Sequence, residues 1–183
     1  MRTGRRQTAD DILKTRGENW PEAVTPITHL MVRIFRFSSL ILSNAVRQVT
    51  ALGLTFTEFE VLVTLRGMAP PHELAPTELY DAVLISSGGL TKVLHALANK
   101  RLITRGKAES DGRSKPVRLT AKGSALAERA MADVLRSDRE LISRGLSATE
   151  IERLIRSLRK LLATLEPDDA GTHSGSGQKG RTS

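Results

Sequence analysis

The apolar rhythm of this chain leaves the helical period at one place, and that break limits what the chain can fold into. As far as Asn99, apolar residues recur every three or four positions, the spacing that turns one face of an α-helix toward a core. After Arg101 the pattern is extended: Leu102-Ile103-Thr104-Arg105 and Pro116-Val117-Arg118-Leu119-Thr120 read as two short strands. Between them lies Glu109-Ser110-Asp111-Gly112-Arg113-Ser114, whose Asp-Gly pair suits a tight turn. Helical spacing returns after Thr120 and holds to Leu165. The expected fold is mainly α with a small β-hairpin.

Local start and stop signals place the helices. Thr25-Pro26 opens the first long one with a hydroxyl at the N-cap and proline at the first helical position. Its apolar positions Ile27, Leu30, Met31, Ile34, Ile41, Ala45, Val49 and Leu52 run for about seven turns, longer than a core of its own needs, to a stop at Gly53. Thr55 with Glu58, and Ser147 with Glu150, have capping-box spacing, in which hydroxyl and carboxylate satisfy each other's backbone amides. Gly67 ends the helix that begins at Thr55, and residues 68–74 read as a short connection. Pro76 opens a short helix, and Ser86 or Ser87 caps the next, whose buried stripe is Leu90, Val93, Leu94 and Leu97. Thr120 caps a further helix that carries Leu126, Ala130, Met131, Val134, Leu135 and Ile142. The organisation expected is a polar arm or short helix over 1–20 and a long helix over 21–53. A compact lobe over 54–120, C-terminal helices over 121–166 and a disordered tail over 167–183 follow.

The net charge of +8 is unevenly distributed: residues 1–85 are net zero, 86–120 are net +6 and 121–183 are net +2. No Asp or Glu occurs from Ser86 to Ala108. A basic stretch of this kind points to an acidic partner. The absence of cysteine excludes disulfides, thiolate metal sites and thiol redox sensing. No paired-histidine metal motif, phosphate loop or Gly-x-Ser-x-Gly elbow supports an enzyme, and no cofactor is expected. Gly175-Ser176-Gly177-Gln178-Lys179-Gly180 matches a dinucleotide fingerprint only formally, since no strand precedes it. No apolar run is long enough for a membrane span or a signal peptide, so a cytoplasmic protein with no membrane partner is expected.

Two helices joined by a tight turn and followed by a basic hairpin are the order of a winged helix-turn-helix. The second helix of such a pair can enter the major groove with its N-terminal residues at base edges. Ser86, Ser87 and Gly88 fit that end, where small residues let backbone amides approach phosphate. Thr91, Lys92 and His95 follow at the natural base-reading positions. Arg105, Ser114 and Lys115 flank the hairpin tip, with Arg113 suited to a narrow minor groove and Asp111 placed to orient its guanidinium. All six aromatics lie outside 86–120, which removes a stacking platform for single strands there. A non-specific architectural DNA binder remains the alternative, since the basic segment alone would serve it.

From about Pro26 to Leu165 the chain resembles the multiple-antibiotic-resistance regulator (MarR) family of bacterial winged-helix transcription factors. The residues carrying the likeness are Leu54-Thr55, Glu58-Phe59, Val61-Leu62, Pro76-Thr77-Glu78-Leu79 and Ser86-Ser87-Gly88-Gly89-Leu90-Thr91. Leu97, Asp111-Gly112-Arg113-Ser114, Val117-Arg118-Leu119-Thr120 and Lys122-Gly123 complete the set. The resemblance implies a homodimer joined through the long N-terminal and the two C-terminal helices. It implies a pseudo-palindromic double-stranded operator, usually repressed, and a small anionic or aromatic effector held between dimer and DNA lobes. The arm and Ser86–Gly89 are similar to the urate-responsive branch, with departures. Arg16 stands at the tryptophan position of that branch, Glu60 at its aspartate and Val93 at its arginine. Ala75 replaces the usual hydroxyl cap, and Lys100-Arg101 the glycine that often ends the recognition helix. Candidate effector residues are Trp20, His29, Arg33 and Glu60. His29 and Arg33 share a helix face with Arg36 and Arg47 that reads more readily as a solvated stripe than as an anion pocket, and Trp20, like Tyr80, reads more readily as a packing residue than as a ligand platform.

Overall fold

Several helices begin where a hydroxyl side chain accepts one of the first backbone amides. A computed structural model describes residues 7–83, 87–106 and 115–166, with the backbone alone at 87 and 88. The expected tail, 167–183, lies outside the described residues. Thr8 and Asp11 form a reciprocal capping box at the head of α1 (Ala9–Asn19), so the arm is a helix there, with Leu13 buried. A single 3-10 turn at Pro21–Ala23 leads to α2 (Pro26–Ala51), where the Thr25 hydroxyl accepts from the Thr28 amide. Gly53, at φ 73°, makes the turn into α3 (Phe56–Gly67), capped by Thr55 and Glu58.

The connection over 68–74 holds a strand that sequence periodicity did not reveal. Strand β1 (Glu73–Leu74) precedes α4 (Pro76–Ala82), α5 (Ser87–Asn99), β2 (Ile103–Arg105) and β3 (Val117–Leu119). The expected two-stranded hairpin is therefore the larger part of a three-stranded antiparallel sheet, in the order β1-β3-β2. Glu73 lies opposite Arg118 and joins it in an ion pair of 2.8 Å, the cross-strand contact that seats β1 on the edge. Two residues are too few for alternation to register. Ala75 gives α4 no side-chain cap, but Glu78 still accepts from the Ala75 amide at 2.8 Å.

The chain divides into two compact units, one ending at Arg139 and the other beginning at Glu140. The border falls near the end of α6 (Ala121–Ile142), and the second unit contains α7 (Ala148–Leu165), opened by the Ser147–Glu150 capping box. The core lies in the first unit and centres on α3, where Phe59, Val61, Leu62 and Leu65 are all buried. Because α3 touches α2, α4, α5 and β3, it is apolar on most sides rather than on one stripe. Leu79, Val83, Leu90, Leu94, Leu97, Leu102, Val117 and Ala127 complete the packing. Only the C-terminal end of α2, at Ala45 and Val49, belongs to this core; Ile27, Leu30, Met31, Phe35 and Phe37 are exposed. Polar links between α2 and α6 run through the buried Asn44, whose amide donates to Asp138 while its carbonyl accepts from Arg47 and Ser137, and through the Gln48 amide, which donates to the Ser137 hydroxyl at 3.1 Å.

Candidate nucleic-acid interface

Helix α5 has one buried and one exposed face. Leu90, Leu94 and Leu97 are buried in the core, whereas Thr91, Lys92, His95 and Asn99 are exposed. Ser87 is already helical, and Ser86, the other cap candidate, lies outside the described residues. Gly88 is helical as well. Within the exposed face, the Asn99 amide and His95 Nδ1 lie 3.2 Å apart. With no acidic residue from Ser86 to Ala108, this face presents donors and positive charge from a helix with no acid of its own, while Asp81 of α4 lines a hollow shared with Thr91.

Next to it, the β2–β3 hairpin carries Arg105 and Lys115, both exposed at its outer end. The ladder extends one step past Arg105 through a 2.8 Å bond from the Gly106 amide to the Pro116 carbonyl. That closeness explains the glycine, because a Cβ on Gly106 would lie 2.9 Å from the Pro116 ring. Asp111, Arg113 and Ser114 lie outside the described residues.

Not all of the +6 segment is free to face a partner. Arg118 is held by Glu73 across the sheet, and the Lys100 ammonium lies 2.7 Å from each carboxylate oxygen of the buried Glu58. Two of the cations counted from sequence are thus compensated by acids at positions 73 and 58 in the first, net-neutral segment.

The effector candidates are only partly brought together. His29 Nδ1 and an Arg33 guanidinium nitrogen lie 3.1 Å apart, and the same guanidinium forms a 2.6 Å ion pair with Asp10 of α1. Arg47 turns instead to Asn44. Trp20 is 63% exposed at the C-cap of α1. No hydrogen bond or ion pair joins Trp20 or Glu60 to His29 and Arg33. Glu60 is half-buried, and desolvation raises its carboxyl above the ordinary value. A cavity of about 420 Å³ lies elsewhere, between α3 and α6, lined by Val63, Gly67, Met131 and Leu135, with the Arg66–Glu128 ion pair at 2.7 Å. A similar one, of about 410 Å³, lies between Tyr80 of α4 and Leu90 of α5.

Known proteins match this arrangement. The MarR family pattern matches residues 52–114. The HTH-type transcriptional repressor Mb2911 of Mycobacterium bovis is 32% identical over 128 residues, covering 70% of this chain and 89% of the relative. The chain belongs to the MarR family. It is a DNA-binding transcriptional regulator with the winged-helix fold of that family. The HTH-type transcriptional regulator PecS of Dickeya dadantii is 28% identical over 138 residues, 75% of this chain and 82% of PecS. The Mycobacterium tuberculosis MarR family protein Rv2887, solved in complex with p-aminosalicylic acid, is 30% identical with a TM-score of 0.57. That match covers 75% of this chain and 98% of Rv2887. Among the described residues of this MarR-family chain, no helix is long and apolar enough to cross a membrane.

Sequence reasoning missed the cavity lining and the inward-facing Lys100. The first has no local signature, because Val63 and Met131 read as ordinary core positions of two separate helices. The second had a signal in hindsight, namely a cation where a glycine would end the helix.

Proposed function

We propose that this MarR-family regulator is a homodimer that binds a pseudo-palindromic operator as a repressor and is released by a small anionic or aromatic ligand. The reading rests above all on the exposed face of α5: Thr91, Lys92 and His95 stand on a helix that carries no acid of its own and whose opposite side is anchored by Leu90, Leu94 and Leu97. In a helix-turn-helix such a face reads base edges while basic flanks hold phosphate. Arg105, Lys115 and Arg113 of the wing then contact the backbone or an adjacent minor groove, with Asp111 orienting Arg113, and Ser86, Ser87, Gly88 and Ser114 approach phosphate.

The dimer is supported by apolar side chains left uncovered in the single chain. On α2 these include Phe35 and Phe37, and on α7 Leu154, Ile155, Leu158, Leu161, Leu162 and Leu165. Exposed apolar stripes of this kind, one on each helix, mark association faces. The ligand is supported by the cavity between α3 and α6, which offers an apolar wall and, in exchange for its Glu128 partner, the Arg66 guanidinium for a carboxylate, and by the p-aminosalicylic acid bound to Rv2887. Trp20, His29, Arg33 and Glu60 remain the sequence-derived alternatives for that role.

The test is selection of a duplex from a random pool, then fluorescence anisotropy on the selected and a scrambled duplex at several salt concentrations. A preference for the selected duplex of at least about 10³-fold is expected, with weaker binding for Arg113→Ala and altered base preference for Thr91 variants. Equal affinity for both duplexes at every salt concentration would replace this reading with non-specific architectural binding.

A further inference from the structure

Lys100 follows the last residue of α5, within the most basic part of the chain, yet its charge is directed inward. Its Nζ lies 2.7 Å from Glu58 Oε1, 2.7 Å from Glu58 Oε2 and 2.9 Å from the Gly53 carbonyl oxygen. An ammonium has three N–H donors, and these are three acceptors. The Glu58 side chain is 4% exposed, and its Oε2 also accepts the Thr55 amide that caps α3. One ammonium therefore joins the turn that ends α2, the first turn of α3 and the exit of α5.

The exit itself needs holding. Arg101 takes the left-handed conformation, φ 58°, which glycine adopts without penalty and arginine does not. Around it, Lys122 Nζ donates to the Lys100 carbonyl at 3.1 Å, and the Thr120 hydroxyl donates to the Arg101 carbonyl at 2.9 Å. The chain thus leaves α5 through a strained residue clamped on both sides by side-chain donors.

We infer that Lys100 is a positioning residue: paired with Glu58, it sets the orientation of α5 against α3 and makes no contact with the DNA backbone. This rests on the reading of α5 as the helix that enters the groove. A helix of this length spans about 20 Å, so a small tilt at its C-terminal end displaces its reading residues. Base-edge hydrogen bonds fail with such a displacement, because their geometry is narrow. Phosphate contacts made through long, flexible lysines tolerate it. Loss of the pair should therefore reduce discrimination between sequences and leave non-specific affinity in place.

Charge makes the inference testable, because the two partners carry opposite signs. Removing Glu58's charge makes the protein more positive, and electrostatics alone would then predict tighter DNA binding. The experiment uses full-length Lys100→Met, Glu58→Gln, the double variant, Lys100→Arg and, for comparison, Lys92→Met. Binding is measured on selected and scrambled duplexes across a salt series. Both Lys100→Met and Glu58→Gln are expected to lower the preference for the selected duplex by about tenfold or more, with the double variant no worse than either single. The salt slope of Lys100→Met should match the wild type, whereas Lys92→Met should reduce it by about one per recognition helix. Lys100→Arg, which keeps a cation beside Glu58, should recover most of the preference.

Hydrogen exchange on the free protein gives a readout independent of any operator. The amides of Lys100, Arg101 and Leu102 should exchange about tenfold faster in Lys100→Met, while the interior of α3 keeps its protection. A salt slope lowered in Lys100→Met as in Lys92→Met would make Lys100 a phosphate contact and overturn the inference. So would an unchanged preference in both single variants, or unchanged exchange at the exit of α5. A wild type that fails to prefer its selected duplex would instead overturn the regulatory reading, and the exchange result would still decide the placement.

Discussion

Gly123 lies in the first turn of α6, and a methyl group built there would run into the backbone of Leu102 at the end of α5's exit turn. The added Cβ would overlap the Leu102 carbonyl oxygen, lie 2.9 Å from its carbonyl carbon and lie 3.2 Å from Leu119 Cδ2. Alanine is the better helix former by about 1 kcal/mol, so helix propensity alone makes Gly123→Ala stabilising. The tertiary contact opposes this. Leu102 cannot easily retreat: its amide donates to the Leu97 carbonyl at 3.0 Å, and its own carbonyl accepts the Thr120 amide at 3.1 Å and shares the one Thr120 hydroxyl proton, 3.2 Å away, with the Arg101 carbonyl. Relief requires a backbone shift costing about 1–3 kcal/mol and the weakening of a hydrogen bond, about 1 kcal/mol more. Offset by the propensity gain, the net effect is destabilisation by about 2 kcal/mol, which lowers Tm by about 4–8 °C in a chain of this size. Gly67, with nothing within 4 Å of its built Cβ, is the control. Gly67→Ala should leave stability unchanged or raise it by up to about 1 kcal/mol. Calorimetric melting of both variants decides the matter. A Gly123→Ala protein as stable as the wild type would refute the close-approach argument, as would a larger loss in Gly67→Ala.

Three further outcomes are expected. Asn44→Ala removes a buried amide that serves Asp138, Ser137 and Arg47, and should cost about 2 kcal/mol in urea unfolding; an unchanged midpoint would remove Asn44 from any role in holding α2 to α6. Burial raises the folded-state pKa of Glu60, so its ionised form is disfavoured in the native protein. The penalty is absent below the unfolded-state value and grows as pH rises through the folded one. Glu60→Gln should therefore give a small rise in Tm at neutral pH that disappears in acid, and a gain that persisted in acid would contradict that cause. Leu158→Glu, on the exposed apolar face of α7, should shift sedimentation from dimer to monomer and weaken operator binding; a dimer of unchanged strength would place the association face elsewhere.

Much of the fold was legible because its cues are local. Thr55 with Glu58 and Ser147 with Glu150 are three residues apart, and both form the capping boxes that this spacing predicts. The two faces of α5 follow from helical period alone, and Leu90, Leu94 and Leu97 are buried where the period puts them. What escaped was long-range. Strand β1 is two residues whose only reason to be extended is β3, some 45 positions away. The effector candidates on α2 were chosen by shared helix face. Arg33 and Arg47 instead bond separately, Arg33 to the Asp10 carboxylate of α1 and Arg47 to the neutral Asn44 amide oxygen one turn away.

The sequence by itself determined where helices begin and end, that a hairpin follows α5, and that α5 opposes an apolar face to an acid-free one. These properties depend on backbone geometry over a few residues, and side-chain type is enough to specify them. The tertiary structure alone decided where charges cancel and where space is lacking. The +6 segment looked uniformly available, yet Lys100 meets Glu58 across 42 positions and Arg118 meets Glu73 across 45. Gly123 looked like a weak helix residue, yet it is the point where α6 touches Leu102. Coulomb attraction and steric exclusion act through space, so their outcome depends on which distant segments the fold makes neighbours.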